Sequence, residues 1–307
     1  MIHYHSLDEL HLPNSWLTIG VFDGVHRGHQ QIISKLTADA HANQTNAVVL
    51  TFDPHPALVL GRGEVKSLTM PDERAELFRS FGVDVVITHP FDSSIANLSA
   101  RKFMARLKEH LGVSHLLIGY DFALGKGREG DATRLAELGK DLNYTVEVID
   151  AVSDESGVIS STEIRKLISV GDVSDAAKLL GRNYNLRGPV IHGDGRGRTL
   201  NIPTANIDYP RQKVIPANGI YACWAWVDDQ KYMSAVNVGI NPTFTPDKQT
   251  SNVEAYILDF DQEIYGKDVT IEFVSRLRDE LKFDSVKELV EQIQNDIIKV
   301  REMLRTT

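Results

Sequence analysis

Residues 16–29 read WLTIGVFDGVHRGH, and this stretch decides the fold. An apolar run (16–22) leads into a turn containing Gly20, Gly24 and Gly28, and an amphipathic pattern starts directly behind it. Ile32, Ile33, Leu36 and Ala40 fall on one stripe, so a helix is predicted over 29–42. A strand, a glycine-rich turn and a helix form the opening unit of a parallel α/β sheet. Four more apolar segments repeat the grammar: AVVLTF (47–52), VDVVITHPF (83–91), SHLLIGYDF (114–122) and TVEVIDAV (145–152). Helical patterns lie between them, one starting at Pro71 and one following Ser99 with Phe103, Leu107 and Leu111 four apart. The strands show little polar alternation, as in a sheet covered on both faces. An open, doubly wound α/β domain over 1–182 is predicted, with ligands at the carboxyl ends of its strands.

After Gly181 the pattern changes to short alternating segments with glycine and proline: RGPVIHG, GIYACWAWV, YMSAVNVGI, VEAYILDF and VTIEFVSRL. These predict a small antiparallel β-barrel over 183–307, with a hairpin turn at Asp228-Asp229-Gln230. Ser285 with Glu288 announces a final helix whose buried stripe is Leu289, Ile293, Ile297, Val300 and Leu304. A length of 307 residues fits two domains. The formal charge of −9 provides no field to gather nucleic acid or anionic membrane. One cysteine, Cys223, makes no internal disulfide, the start MIHYHSLDEL lacks a signal-peptide pattern, and no run is apolar enough to span a membrane, so a cytoplasmic protein is expected. Self-association leaves no mark on the sequence.

The turn at residues 20–29 has the chemistry of an anion site. Glycines allow close backbone approach, and a helix's first N–H groups favour negative charge. His26 and His29, three apart, point the same way and suit the phosphate oxygens of a departing pyrophosphate. Ser161, Thr162 and Arg165 begin another helical pattern and make a second anion site, so the two together suit ATP. FDPHP (52–56) presents Asp53 and His55 at the binding edge, either as a ligand loop or as a stiff turn. GKGREG (125–130) matches the dinucleotide pattern G-x-G-x-x-G, but it lies six residues past the apolar strand core and outside the first strand–helix pair. A loop touching a second substrate is the preferred reading there.

In the β half, Gly193 and Gly195 sit in GPVIHGDGRGR (188–198) with Arg196 and Arg198, a glycine-rich cradle without a Walker lysine. Thr204 and Asn206 share a face of an extended segment and offer hard oxygen ligands for Mg²⁺ bound to a nucleotide. Glu254 shares its face with Tyr256, Leu258 and Phe260, so a carboxylate aims into apolar surroundings, where it suits general-base work.

Taken in order, GVFDGVHRGH, FDPHP, GYDFALGKGREGD, ISSTEIR, GPVIHGDGRGRTLNIPTANI, NGIYACWAWV, AVNVGINPTF and VEAYILDF resemble the bacterial bifunctional riboflavin kinase/FMN adenylyltransferases over nearly the whole chain. The resemblance implies a nucleotidyltransferase domain that joins ATP and FMN into FAD with release of pyrophosphate. It also implies a riboflavin kinase barrel that phosphorylates riboflavin with ATP and Mg²⁺. By that resemblance, Gly20, Phe22, Asp23, Gly24, His26, His29, Ser161, Thr162 and Arg165 bind ATP in the first domain, with His26, His29 and Arg165 assisting transfer. Asp53, His55, Asp121, Phe122 and Arg128 lie on its flavin side. In the barrel, Gly193, Gly195, Thr204 and Asn206 hold ATP, Thr204 and Asn206 also meet Mg²⁺, and Glu254 is the base beside the flavin. The chain departs from the family at Leu124, where DF-x-FG often carries a second aromatic. Two other readings compete: a nucleotidyltransferase for another phosphorylated acceptor with a ligand-binding barrel, and a flavin-binding regulator.

Overall fold

The computed structural model describes residues 1–154, 157–193, 202–240 and 251–305. The chain divides into two compact units, Met1–Ser161 and Thr162–Thr307.

The first unit is built on a six-stranded sheet of β1 (Ile2–Tyr4), β2 (Ser15–Ile19), β3 (Asn46–Asp53), β4 (Val85–Pro90), β5 (Val113–Gly119) and β6 (Thr145–Ile149). The order is β1-β4-β3-β2-β5-β6 and every pairing is parallel. Five of these strands match the predicted segments. The edge strand β1 does not, because three residues with one strong apolar side chain carry no readable period; its register against β4 is a tertiary choice.

Alternation along β3 shows why both faces are covered. Val48 and Leu50 pack with Phe103, Met104 and Leu107, while Ala47 and Val49 face Ile33, Leu36 and Phe78 on the other side. The helices responsible are α1 (Arg27–Ala42), α2 (Pro56–Val59), α3 (Pro71–Ser80), α4 (Ser93–Ala96), α5 (Ala100–Leu111) and α6 (Ala132–Leu142). Ser99 caps α5 through Lys102 N as expected, and Gly112 closes it in the left-handed region with its α-carbon against Pro13. A short hairpin, β7 (Ser153–Asp154) with β8 (Gly157–Val158), precedes α7 (Ser161–Ser169). The chain leaves β2 toward β3 on one side and later places β5 on the other. The sheet's switch point therefore lies at the carboxyl end of β2, where residues 20–29 sit.

The second unit is a closed antiparallel barrel of β9 (Tyr184–Ile191), β10 (Ala205–Ile207), β11 (Gly219–Val227), β12 (Gln230–Ile240), β13 (Ser251–Ile257) and β14 (Asp268–Arg278). Asp228 and Asp229 form the predicted hairpin turn, both at positive φ. Tyr221, Cys223, Ala225, Val253, Ala255 and Ile257 alternate into the interior. The terminal helix, Val286–Arg305, covers part of the outer face, with Val300 and Leu304 buried against Ala222 and Leu258. The helix α8 (Val173–Leu180) packs on β14 and β9 through an apolar stripe of Val173, Ala176 and Leu180. By contact, therefore, residues 162–180 group with the barrel, although composition changes only near 183.

Candidate functional site

In the first unit, the predicted strand 16–22 ends at Ile19, because Phe22, Gly24 and Val25 turn the chain through positive φ. Gly20 is required there: a Cβ would lie 2.8 Å from the Phe22 ring. That ring packs edge-on against Phe78 in the core and edge-on against His29. Asp23 is 1% exposed. Its buried carboxylate accepts from Leu68 N, Thr69 N and Thr69 Oγ1 at 3.0–3.3 Å, and Gly24 N donates to Thr69 Oγ1 at 2.9 Å. These contacts pin the loop to the segment before α3.

Beneath the loop lies a residue the sequence did not single out. Arg74, on α3 and 4% exposed, donates to Val21 O at 2.9 Å and to Phe52 O at 3.3 Å. It ties the first loop to the end of β3. Burial lowers its pKa, opposed by Asp23, Asp53 and Glu73. No periodic pattern marks it, since its partners Val21 and Phe52 lie 53 and 22 residues away along the chain.

His26 precedes α1 without capping it through its side chain, and the rings of His26 and His29 stack with centroids 3.6 Å apart. Burial holds the His29 pKa well below its usual value, aided by the neighbouring His26 and by Arg74. His29 is thus a neutral imidazole whose Nδ1 is buried with no hydrogen-bond partner among the described residues. The sequence's second anion site touches the first at Ser161, whose Oγ donates to Asp23 O at 2.8 Å. Thr162 and Arg165 follow on α7 as the first residues of the second unit.

Around the remaining loops, His55 proves to be a cap: its Nδ1 accepts from Ala57 N at 3.1 Å at the start of α2. Asp53 is exposed at the end of β3. Arg128 Nη2 donates to Asp121 O at 2.7 Å, and Phe122 is half-buried against the core. Two glycines of the GKGREG segment are accounted for by packing. A Cβ on Gly125 would lie 2.6 Å from Ala100 N, and one on Gly130 2.6 Å from Ala100 Cβ, so these glycines admit the start of α5. Leu124 is buried in the same core, which makes it a packing residue.

In the second unit, Thr204 lies where two cavities meet. One, of about 250 Å³, is lined by Gly193, Thr204, Asn206, Phe260 and Tyr265. The other, of about 280 Å³, is lined by Thr204, Asn237, Glu254, Tyr256, Arg278 and Asp296. Asn206 and Glu254 are cross-strand partners on β10 and β13, so the outer face of the barrel brings them together. Glu254 and Tyr256 share that face as predicted. Phe260 does not, because β13 ends at Ile257 and the chain then turns into the wall of the first cavity. A Cβ on Gly193 would lie 2.2 Å from Asn206 Nδ2, so only glycine lets this amide lie flat there. Gly195, with Asp194, Arg196 and Arg198, lies outside the described residues. His192 stacks on Tyr265 at 3.9 Å beside the first cavity.

Asn252, two residues before Glu254, escaped the sequence reading although the period of 2 places it on the same face. Its Nδ2 donates to Asn206 Oδ1 at 2.9 Å and to Glu254 Oε1 at 2.7 Å. Asn237 faces Glu254 from β12, and its Oδ1 is buried with no hydrogen-bond partner among the described residues. Leu289 and Ile293 of the predicted buried stripe line the second cavity, so that end of the stripe is cavity wall.

A parallel sheet with a glycine-rich loop at its switch point, joined to a barrel with two cavities that meet at Thr204, defines a two-part transferase. Family models agree with that division: FAD synthetase matches residues 8–163 and riboflavin kinase residues 180–304. The chain belongs to the bifunctional riboflavin kinase/FMN adenylyltransferase family. Among relatives bearing that name, one from Listeria monocytogenes is 39% identical over 96% of this chain and 94% of its own. Another, from Escherichia coli K12, is 33% identical over 99% and 97%. A crystal structure described as a macrolide-efflux protein from Streptococcus pneumoniae has a TM-score of 0.88 and 33% identity, covering 98% of both chains. In this chain, among the described residues, no helix is long and apolar enough to cross a membrane.

Proposed function

We propose that the chain makes FAD from riboflavin in two ATP-dependent steps, one in each unit. The carrying observation is the meeting of two cavities at Thr204, with Asn206 in one wall and Glu254 in the other. A nucleotide on one side and an acceptor hydroxyl on the other would approach each other across that strip. Glu254 takes the proton of riboflavin's terminal hydroxyl as its oxygen bonds to the γ-phosphorus; the bond to the ADP oxygen breaks, giving FMN and ADP. Thr204 and Asn206 supply hard oxygen donors for Mg²⁺, and no cluster of three His, Cys, Asp or Glu side chains fit for a metal occurs among the described residues. That sparse donor set suits an ion held mainly by phosphates and water, which neutralises triphosphate charge when bound.

In the first unit a phosphate oxygen of FMN bonds to the α-phosphorus of ATP, and the bond to pyrophosphate breaks. No protein nucleophile is needed. Neutral His29 and its stacked partner His26 donate hydrogen bonds to the phosphates, next to the first-turn N–H groups of α1. Ser161 shapes the same loop through Asp23 O. Thr162 and Arg165 keep a phosphate role on sequence order alone. Asp53, Asp121, Phe122 and Arg128 are assigned to the flavin side, and His55 acts there through its cap on α2. We assign residues 1–182 to adenylyl transfer and 183–307 to the kinase. Both steps consume ATP and the fold needs no disulfide, which supports a cytoplasmic enzyme with small-molecule substrates.

A chromatographic time course with riboflavin, ATP and Mg²⁺ tests the whole reading: FMN appears first and is then converted to FAD. Accumulation of FMN without FAD would overturn the first-unit assignment, and absence of FMN the second.

A further inference from the structure

We propose that Asn252 is a positioning residue of the kinase site, fixing Asn206 and Glu254 relative to each other through one amide nitrogen; this rests on the kinase reading above. Asn206 Oδ1 and Glu254 Oε1 are both acceptors, brought side by side because β10 and β13 pair at these residues. Acceptors so placed repel unless a donor lies between them. A primary amide carries two hydrogens on one nitrogen and can serve both at once. Asn252 does this, at 2.9 Å to Asn206 Oδ1 and 2.7 Å to Glu254 Oε1.

The arrangement also decides which way Asn206 faces. Its Nδ2 lies against Gly193, at 2.2 Å from where a Cβ would stand, and its Oδ1 turns to the Asn252 donor. The reversed amide would set NH₂ against NH₂, so Asn252 selects the orientation that presents oxygen. Of the two lone pairs on that oxygen, Asn252 engages one. On the other side, donation to Glu254 Oε1 fixes which way the carboxylate faces. The charged groups lining the cavity shared with Glu254 are Arg278, Glu280 and Asp296, and the polar side chain opposite on β12 is Asn237. Serine, with a single hydrogen, serves one acceptor; alanine serves none.

The test uses the full-length chain with Asn252→Ala, Asn252→Ser and Glu254→Gln. For Asn252→Ala, kcat for riboflavin phosphorylation falls about 10- to 100-fold with little change in riboflavin KM, as for removal of a residue that orients ligands. The Mg²⁺ concentration for half-maximal rate rises, which a merely structural loss would not produce. Asn252→Ser lies between, and it decides the matter if the alanine variant fails to fold. FAD formation from supplied FMN continues in both. Wild-type kcat and Mg²⁺ response in both Asn252 variants, with Glu254→Gln inactive, would overturn the role of Asn252 alone. An active Glu254→Gln would instead overturn the kinase reading on which it rests.

Discussion

Arg278 and Asp296 form a side-on ion pair in the wall of the Glu254 cavity, with Nη2 to Oδ2 at 2.7 Å and Nε to the two carboxylate oxygens at 3.0 and 3.1 Å. Asp296 is 3% exposed and belongs to the terminal helix, so the pair fastens that helix to β14. Gln292 Nε2 adds a third donor at 2.9 Å. Removing one partner of a buried pair leaves a charge uncompensated, at about 3–5 kcal/mol. Asp296→Ala should therefore destabilise the second unit by roughly that amount in urea unfolding. It should also raise riboflavin KM more than it lowers kcat, because the cavity wall loosens while Glu254 stays in place.

Glu254→Gln keeps shape and removes the base. Riboflavin phosphorylation should fall about 10²- to 10⁴-fold. FAD formation from FMN, measured on the same preparation, should be unchanged.

Asp23→Ala separates a positioning role from ligand contact. Its carboxylate anchors two backbone N–H groups and a hydroxyl, and each buried donor left without an acceptor costs about 1–3 kcal/mol. Adenylyl transfer and the melting temperature of the first unit should fall together. An additional ATP contact would show as a raised KM for ATP on top of that loss of stability.

Leu124 is the site of departure from the family, and its burial turns that departure into a matter of packing. Leu124→Ala should cost about 2–5 kcal/mol, and Leu124→Phe about 1–3 kcal/mol through overpacking. Neither change should lower the KM for FMN, as an added stacking partner would.

Acid should weaken the first unit. His3, His29 and His89 all have pKa values lowered from 6.5, each chiefly by burial, and His89 Nδ1 accepts from Leu7 N at 3.2 Å. In that window the unfolded chain binds more protons than the folded one, so stability is full above 6.5 and is lost as pH falls below it. The urea midpoint should drop between about pH 7.5 and about pH 5.5, and His89→Asn, which keeps an acceptor without titrating, should flatten that slope.

The legible parts of this protein were those written in local period and punctuation. Phe103, Leu107 and Leu111 announced α5, Asp228-Asp229 announced its hairpin, and the alternation through Glu254 placed the carboxylate on the barrel's outer face. These follow from chain geometry over a few residues, so the sequence by itself determined them, together with the two-unit plan and the candidate chemistry of His26, His29, Thr204, Asn206 and Glu254. Partner choice across long separations was left to the tertiary structure. Asp23 and Phe22 sit in a motif that reads as ligand-binding, and the fold gives one Leu68 and Thr69 and the other Phe78 as neighbours. Arg74 under the loop and Asp296 against Arg278 are buried charges whose partners lie far along the chain. A polar side chain's period tells which face it occupies; which donor or acceptor meets it there depends on how the faces are brought together, and only the folded chain decides that.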